Sequence, residues 1–93
     1  MRNIVSIFGG HDANITFFNG QYHIIEIERL VKKRYTGLYT GEVELKDEEI
    51  VGILQECQDI ATKFWGIEND YECVLINSQW KKPKSLIENV FKS

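Results

Sequence analysis

The chain has 93 residues, of which 43% are hydrophobic and 12% are aromatic, so it can form one modest hydrophobic core within a single domain. Its formal net charge of −3 provides no basic surface of the kind that nucleic-acid-binding proteins carry, and we expect no nucleic acid partner. No stretch approaches the roughly 20 apolar residues that span a membrane. Because the start at Met1 also lacks the apolar run of a signal peptide, a cytoplasmic location is expected.

The amino-terminal third predicts a β-meander. Apolar runs predict strands over Asn3 to Phe8, Ala13 to Phe18 and Gln21 to Arg29, and Asn19-Gly20 is typical of a tight hairpin turn. The two-residue alternation of the third strand predicts one face with Tyr22, Ile24, Glu26 and Glu28, and another with His23, Ile25, Ile27 and Arg29. Two carboxylates would then share a face at the end of this strand, whereas His23 is predicted to be structural.

The turn between the first two strands is the main functional candidate, because it contains Gly9-Gly10-His11-Asp12-Ala13-Asn14. Glycines allow backbone N–H groups to approach a phosphorylated ligand closely, and His11 can accept a proton near neutral pH. The alternative is a polar turn in which Asp12 binds a nearby backbone N–H and His11 is solvated.

A loop is predicted from Leu30 to Lys46, where the apolar pattern breaks. It carries the basic cluster Lys32-Lys33-Arg34, which either is a solvated surface or contacts phosphate. Glu26, Glu28 and Arg29, just before the loop, have two open interpretations as well. They form a cross-strand ion pair, or they face a ligand with Arg29 bound to phosphate.

A helix is predicted to begin after Asp47 as its N-cap and to stop at Gly66, because apolar residues from Ile50 to Phe64 recur at helical spacing. A fourth strand from Tyr71 to Ile76 is predicted to lie parallel to the first. Cys57 and Cys73 have no metal-type spacing, so both are expected to be buried, reduced thiols. Trp65, Trp80, Tyr35 and Tyr39 are expected to be aromatics at the core or its rim.

A last helix is predicted after Pro83, with Ser85 and Glu88 as a capping box. Its apolar residues are Leu86, Ile87, Val90 and Phe91. Because the sequence ends within this apolar stripe, we expect that the natural unit is longer or that the chain pairs with another, and that the isolated chain self-associates.

The order β-β-β-α-β predicts an α/β fold in which a β-meander leads through a crossover helix to a further strand. This order is typical of the first half of a ribonuclease-H-like or actin-like ATPase domain. Residues 1–93 would form one domain that is the amino-terminal part of a larger one.

The segment from Ile4 to Phe18, followed by Glu26-Ile27-Glu28-Arg29-Leu30 and Lys32-Lys33-Arg34, resembles the amino-terminal segment of the O-carbamoyltransferases that modify antibiotics and nodulation factors. That family opens with an apolar strand, a small-residue turn containing His-Asp, a second apolar strand, a hairpin, and a strand that ends in Glu-Glu-Arg-Phe before a basic cluster. Two positions depart from its pattern. Ile27 stands where the family often has an acidic residue, and Tyr35 where it often has a histidine.

The resemblance implies an actin-like ATPase that converts carbamoyl phosphate and ATP into a carbamoyl-adenylate and passes the carbamoyl group to a substrate hydroxyl. His11 would be the base for that hydroxyl, and Gly9, Gly10, Asp12, Glu28, Arg29 and Lys32 would bind phosphate or ligand. Asp12 would orient His11 or water, or help to place a metal. A divalent metal, iron or magnesium, is implied for the full-length enzyme, but its histidine-rich motif is not in this sequence. The chain by itself is therefore expected to bind no ATP or metal and to be inactive.

Two other functions are compatible with the sequence. One is a free-standing, non-catalytic ribonuclease-H-like module for binding or assembly. The other is a degenerate actin-like domain that binds a phosphorylated small molecule without chemistry. A continuing reading frame with a metal-type histidine pair and a second glycine-rich loop would favour the carbamoyltransferase.

Overall fold

The computed structural model describes residues 3–9, 13–27, 30, 46–77 and 83–93. These residues form a small α/β domain with one four-stranded mixed sheet and two helices. The strands are β1 (Asn3–Phe8), β2 (Asn14–Phe18), β3 (Tyr22–Glu26) and β4 (Tyr71–Ile76), and the helices are α1 (Asp47–Trp65) and α2 (Ser85–Glu88). The order of strands across the sheet is β3-β2-β1-β4.

The predicted meander and crossover are confirmed. Strands β1 and β2 pair antiparallel, β2 and β3 pair antiparallel, and β4 lies parallel to β1. The β2–β3 hairpin turns at Gly20, whose φ of 106° is a conformation that favours glycine. The Asn19 side chain stabilises this turn, because its Oδ1 accepts a hydrogen bond from the Gln21 N–H at 3.3 Å.

The sheet has a core face, on which apolar side chains from all four strands meet the helices. Across the strands, one row on this face contains Ile25, Ile15, Ile7 and Ile76, and the next contains His23, Phe17, Val5 and Val74. Phe17 is fully buried and lies at the centre, with its ring centroid 6.1 to 6.3 Å from those of Trp65, Tyr71 and Phe91. Burial of these rings supplies much of the hydrophobic stabilisation.

Helix α1 has the predicted extent, but its N-cap differs from the prediction. Lys46 is the N-cap and Asp47 is the first helical residue. The Glu49 carboxylate accepts a hydrogen bond from the Lys46 N–H at 3.2 Å, so a side chain inside the first turn does the capping. Asp47, Glu48 and Glu49 all lie in this turn, where negative charge is favourable to the helix dipole.

The third strand is shorter than predicted. It ends at Glu26 rather than Arg29, and Ile27 already has helical backbone and is fully buried. The predicted alternation holds from Tyr22 to Glu26, where exposed and half-buried residues alternate. The second strand likewise begins at Asn14 rather than Ala13. Most of the predicted loop from Leu30 to Lys46 lies outside the described residues.

The carboxyl-terminal segment departs most from the prediction. Helix α2 has only four residues, its N-cap is Lys84, and no side chain caps it, so the predicted Ser85–Glu88 capping box is wrong. The helix ends at Glu88, before the last two apolar residues of the stripe. Ile87, Val90 and Phe91 are buried in this chain's own core. The Tyr71 N–H donates to the Lys92 carbonyl at 2.8 Å and thereby ties the segment to β4.

The opposite side of the sheet, the open face, carries a different set of side chains. One row across the strands contains Ile24, Thr16, Ser6 and Leu75, and another contains Tyr22, Phe18, Ile4 and Cys73. All of these are half-buried or exposed. Neither helix in the described part of the chain has the length and apolar character that crossing a membrane requires.

Candidate functional site at the carboxyl edge of the sheet

Strands β1, β3 and β4 all run in the same direction, since β2 is antiparallel to its two neighbours. Their carboxyl ends, at Phe8, Glu26 and Ile76, therefore lie along one edge of the sheet. In open α/β sheets, ligands bind in the crevice outside the carboxyl ends of the parallel strands. This carboxyl edge is the candidate site.

The glycine-containing turn starts and ends at this edge. Phe8 and Asn14 are paired across β1 and β2, and the residues that follow and precede them, Gly9 and Ala13, are both buried. The Ala13 carbonyl accepts a hydrogen bond from the Ile27 N–H at 2.9 Å, which holds the end of β3 against the turn. Of the predicted turn residues, Gly9 is at the edge, whereas Gly10, His11 and Asp12 lie outside the described residues.

The acidic residues at the end of β3 were expected to share one face. Glu26 is exposed and pairs with Asn14 in the same row as Phe8, so it belongs to the open face at the carboxyl edge. Glu28, Arg29 and Lys32 lie outside the described residues. Ile27 stands where an acidic residue is frequent in the resembled family, and its complete burial explains why a charge is not favoured there.

Asn77 is a residue at this edge that sequence reasoning missed. Its N–H donates to the Ile7 carbonyl at 3.3 Å, so the chain still follows β1 one residue past the end of β4. Its side-chain Oδ1 is buried and has no hydrogen-bond partner in the described part of the chain. A polar residue directly after the apolar run from Val74 to Ile76 was the available signal.

His23 lies on the core face, opposite to Glu26, as predicted. Its ring stacks on that of Trp65, with the centroids 4.5 Å apart and the planes 16° from parallel. Its Nε2 lies 3.2 Å from Asn19 Oδ1. Trp65 is half-buried at the rim of the core, also as predicted, whereas Tyr35, Tyr39 and Trp80 lie outside the described residues.

The cysteines do not contribute to the carboxyl edge. Both are free thiols, and Cys57 is buried as predicted, but Cys73 is only half-buried because it lies on the open face. Burial, with a smaller contribution from the charge of Glu56, raises the pKa of the Cys57 thiol to about 12. Such a thiol remains protonated and unreactive at neutral pH.

The metal implied by the resemblance finds no binding group among the described residues. No three His, Cys, Asp or Glu side chains in residues 3–9, 13–27, 46–77 and 83–93 lie close enough to hold an ion. A concavity of about 430 Å³ lies beside β4 and α2, where the apolar residues Val74, Ile76, Ile87 and Phe91 and the polar residues Glu88, Lys92 and Ser93 line it.

Comparison of the chain with protein-family models, with curated proteins and with solved structures found no match.

Proposed function

We propose that this chain is the amino-terminal part of an ATP-dependent O-carbamoyltransferase with a ribonuclease-H-like, actin-like ATPase fold. The observation that carries the proposal is the strand order β3-β2-β1-β4, with Gly9 and Ala13, the described residues on either side of the His11-Asp12 pair, at the carboxyl edge. A three-stranded meander followed by a helix and a strand parallel to β1 is the topology expected for the first half of such a domain.

In the proposed reaction, the turn forms the phosphate-side wall of the transfer site. Backbone N–H groups of Gly9 and Gly10 would bind phosphate oxygens as fixed dipoles, and Arg29 and Lys32 would offset phosphate charge. The acceptor hydroxyl oxygen attacks the carbamoyl carbon of the carbamoyl-adenylate, and AMP leaves. His11 takes the hydroxyl proton, with Asp12 as the group that orients its ring and Glu28 as a ligand-facing carboxylate.

The chain would supply one wall of this site. Catalysis requires reactants held in a preorganised enclosure, and the nucleotide pocket and a metal-binding set would have to come from elsewhere in the enzyme. No step proposed for this chain uses a metal, because the described residues offer no group that fits one. The location expected for such an enzyme is the cytoplasm.

Isotope exchange tests the proposal on the product of the natural gene. In the balanced sequence, water hydrolyses carbamoyl phosphate to carbamate and inorganic phosphate, and a carbamate oxygen then attacks the α-phosphate of ATP and displaces pyrophosphate. The reverse of this second step incorporates labelled pyrophosphate into ATP. We expect exchange that requires carbamoyl phosphate and that acetyl phosphate does not support. Exchange that is absent, or that does not depend on carbamoyl phosphate, would contradict the proposal.

A second candidate is a non-catalytic assembly module of the same topology. It is favoured by the open face, where Tyr22, Ile24 and Leu75 are 76%, 61% and 50% exposed. Exposed apolar patches mark interaction surfaces in soluble proteins. The two candidates differ in the exchange assay, since only the carbamoyltransferase incorporates pyrophosphate into ATP.

A further inference from the structure

Asn77 has a buried side-chain oxygen that is not satisfied by the described residues. Its Oδ1 is buried and no donor in the described part of the chain reaches it. Leaving a buried acceptor unpaired costs about 1–3 kcal/mol, and such groups are uncommon in folded proteins. An unpaired acceptor at a ligand-binding edge is explained if the ligand brings the missing donor.

Asn77 lies at the carboxyl edge, next to the end of β1. Register pairs Ile7 with Ile76, and the Asn77 N–H donates to the Ile7 carbonyl at 3.3 Å. Asn77 is therefore level with Phe8, directly beside Gly9 where the turn begins. A ligand bound beside Gly9 at the carboxyl end of β1 would lie next to the carboxyl end of β4, because the two strands are paired.

The chemistry of the acceptor limits what it can bind. A single neutral amide oxygen does not hold a divalent cation, and the described residues provide no group of three His, Cys, Asp or Glu side chains that could complete such a site. The partner is therefore an N–H or O–H donor. In carbamoyl phosphate, the phosphoryl and carbonyl oxygens accept hydrogen bonds, and the –NH₂ group is the only donor at neutral pH.

We propose that Asn77 Oδ1 accepts a hydrogen bond from the carbamoyl –NH₂ group and so selects a carbamoyl over an acetyl ligand. This assignment rests on the proposed function and adds a specificity residue to it. A site with a buried acceptor discriminates against an analogue that lacks the donor, because the acceptor is then left unpaired. The methyl group of an acetyl ligand cannot donate.

Two stable phosphonates that differ only in the –NH₂ group measure the effect of this contact on affinity. Phosphonoacetamide carries the –NH₂ group, and 2-oxopropylphosphonate replaces it with a methyl group of similar size. Titration of the ¹⁵N-labelled product of the natural gene, followed by amide chemical shifts, measures both affinities and the location of binding. We expect shifts at Gly9, Asn14 and Asn77, and an affinity for phosphonoacetamide about threefold to tenfold higher than for the methyl analogue.

Variants then test the residue itself. Asn77→Leu is expected to bind both phosphonates with equal affinity, and Asn77→Ser, whose shorter side chain falls short of the ligand, is expected to do the same if the leucine variant does not fold. The control is Asn89→Leu, because Asn89 is exposed. This control variant should prefer phosphonoacetamide to the same extent as the unmodified protein.

The outcomes separate the two proposals. Equal affinity of the unmodified chain for both phosphonates, with shifts at the carboxyl edge, would overturn the role of Asn77 and leave the proposed function standing. A preference for phosphonoacetamide that persists in both Asn77 variants would also overturn the role of Asn77 and leave the proposed function standing. Shifts away from this edge, or no binding of either phosphonate, would count against the proposed function and the assignment together.

Discussion

At the scale of single residues, the core contains a buried polar network that the sequence pattern did not reveal. The Tyr71 hydroxyl donates to Gln58 Oε1, and Gln58 Nε2 donates to Thr62 Oγ1 at 3.0 Å and to the Ile67 carbonyl at 3.3 Å. Gln58 is only 3% exposed. Burial raises the pKa of the Tyr71 hydroxyl well above its ordinary range, so it remains a donor at all physiological pH values. The network links α1 to β4.

Removing the hydroxyl of Tyr71 should therefore destabilise the fold. Tyr71→Phe leaves Gln58 Oε1 buried without its donor, and the free energy of unfolding should fall by about 1–3 kcal/mol. The matched control is Tyr22→Phe, because Tyr22 is 76% exposed, and its effect should stay within about 0.5 kcal/mol. Urea denaturation followed by far-ultraviolet circular dichroism measures both. Equal effects of the two substitutions would show that the network contributes nothing.

At the scale of elements, helix α1 ends as its sequence predicts. Gly66 has a φ of 66°, and its N–H donates to the Thr62 carbonyl at 3.2 Å, while the Ile67 N–H donates to the Ala61 carbonyl at 3.1 Å. These two bonds satisfy carbonyls that the last turn would leave unpaired. The left-handed conformation is what makes glycine necessary at this position.

One glycine substitution within α1 and one directly after it should change the stability of the protein in opposite directions. Gly66→Ala forces a side chain into the left-handed region and should destabilise the protein by about 1–2 kcal/mol. Gly52→Ala lies in the exposed middle of α1, where an added Cβ meets nothing within 4 Å, and it should stabilise by about 0.5–1 kcal/mol. Thermal melts of both variants measure the difference. Destabilisation by Gly52→Ala as large as that by Gly66→Ala would contradict this account of the helix end.

The sequence predicted elements with strong periodicity and missed features set by tertiary contacts. The six-residue strands β1 and β4 and the end of α1 were correct, because apolar runs and Gly66 define them locally. The end of β3 was wrong because the pairing with β2 stops at Asn14 and Glu26, and Ile27 then takes helical backbone. The last helix was predicted, but its end at Glu88 was not, because Val90 and Phe91 follow a helical spacing although they are buried in the core beyond the helix. The sequence shows that Asn77 follows an apolar run, but it could not show that the Asn77 Oδ1 atom is buried without a partner, because that depends on the three-dimensional structure.

At the scale of the whole molecule, self-association is still expected, but through a different surface from the one that the sequence indicated. The sequence attributed it to an uncovered last helix, but Ile87, Val90 and Phe91 are buried. Of the large apolar side chains that are exposed in the described part of the chain, Tyr22, Ile24 and Leu75 are on the open face, where Ile24 and Leu75 lie in one row across the sheet, and Phe64 is on α1. A sheet in an α/β fold normally has both faces covered.

We therefore expect the isolated chain to self-associate through the open face. Ile24→Lys and Leu75→Lys should each shift the chain toward monomer in sedimentation velocity, because a charge on this face must be desolvated on association. Phe64→Lys is the matched control, since Phe64 is 68% exposed but lies on α1, and it should leave association unchanged. An unmodified chain that is monomeric at high concentration would contradict the expectation.

In the proposed function, the turn from Gly9 to Asn14 forms one wall of a carbamoyl-transfer site, with His11 as the base. The most direct measurement is the rate of AMP release from ATP and carbamoyl phosphate, catalysed by the natural gene product with a hydroxyl acceptor. We predict that His11→Asn slows the acceptor-dependent rate by about 10²–10⁴-fold while pyrophosphate exchange persists. His23→Asn, which changes the histidine stacked on Trp65, should retain the transfer rate. A His11→Asn protein that transfers at the unmodified rate would contradict the claim.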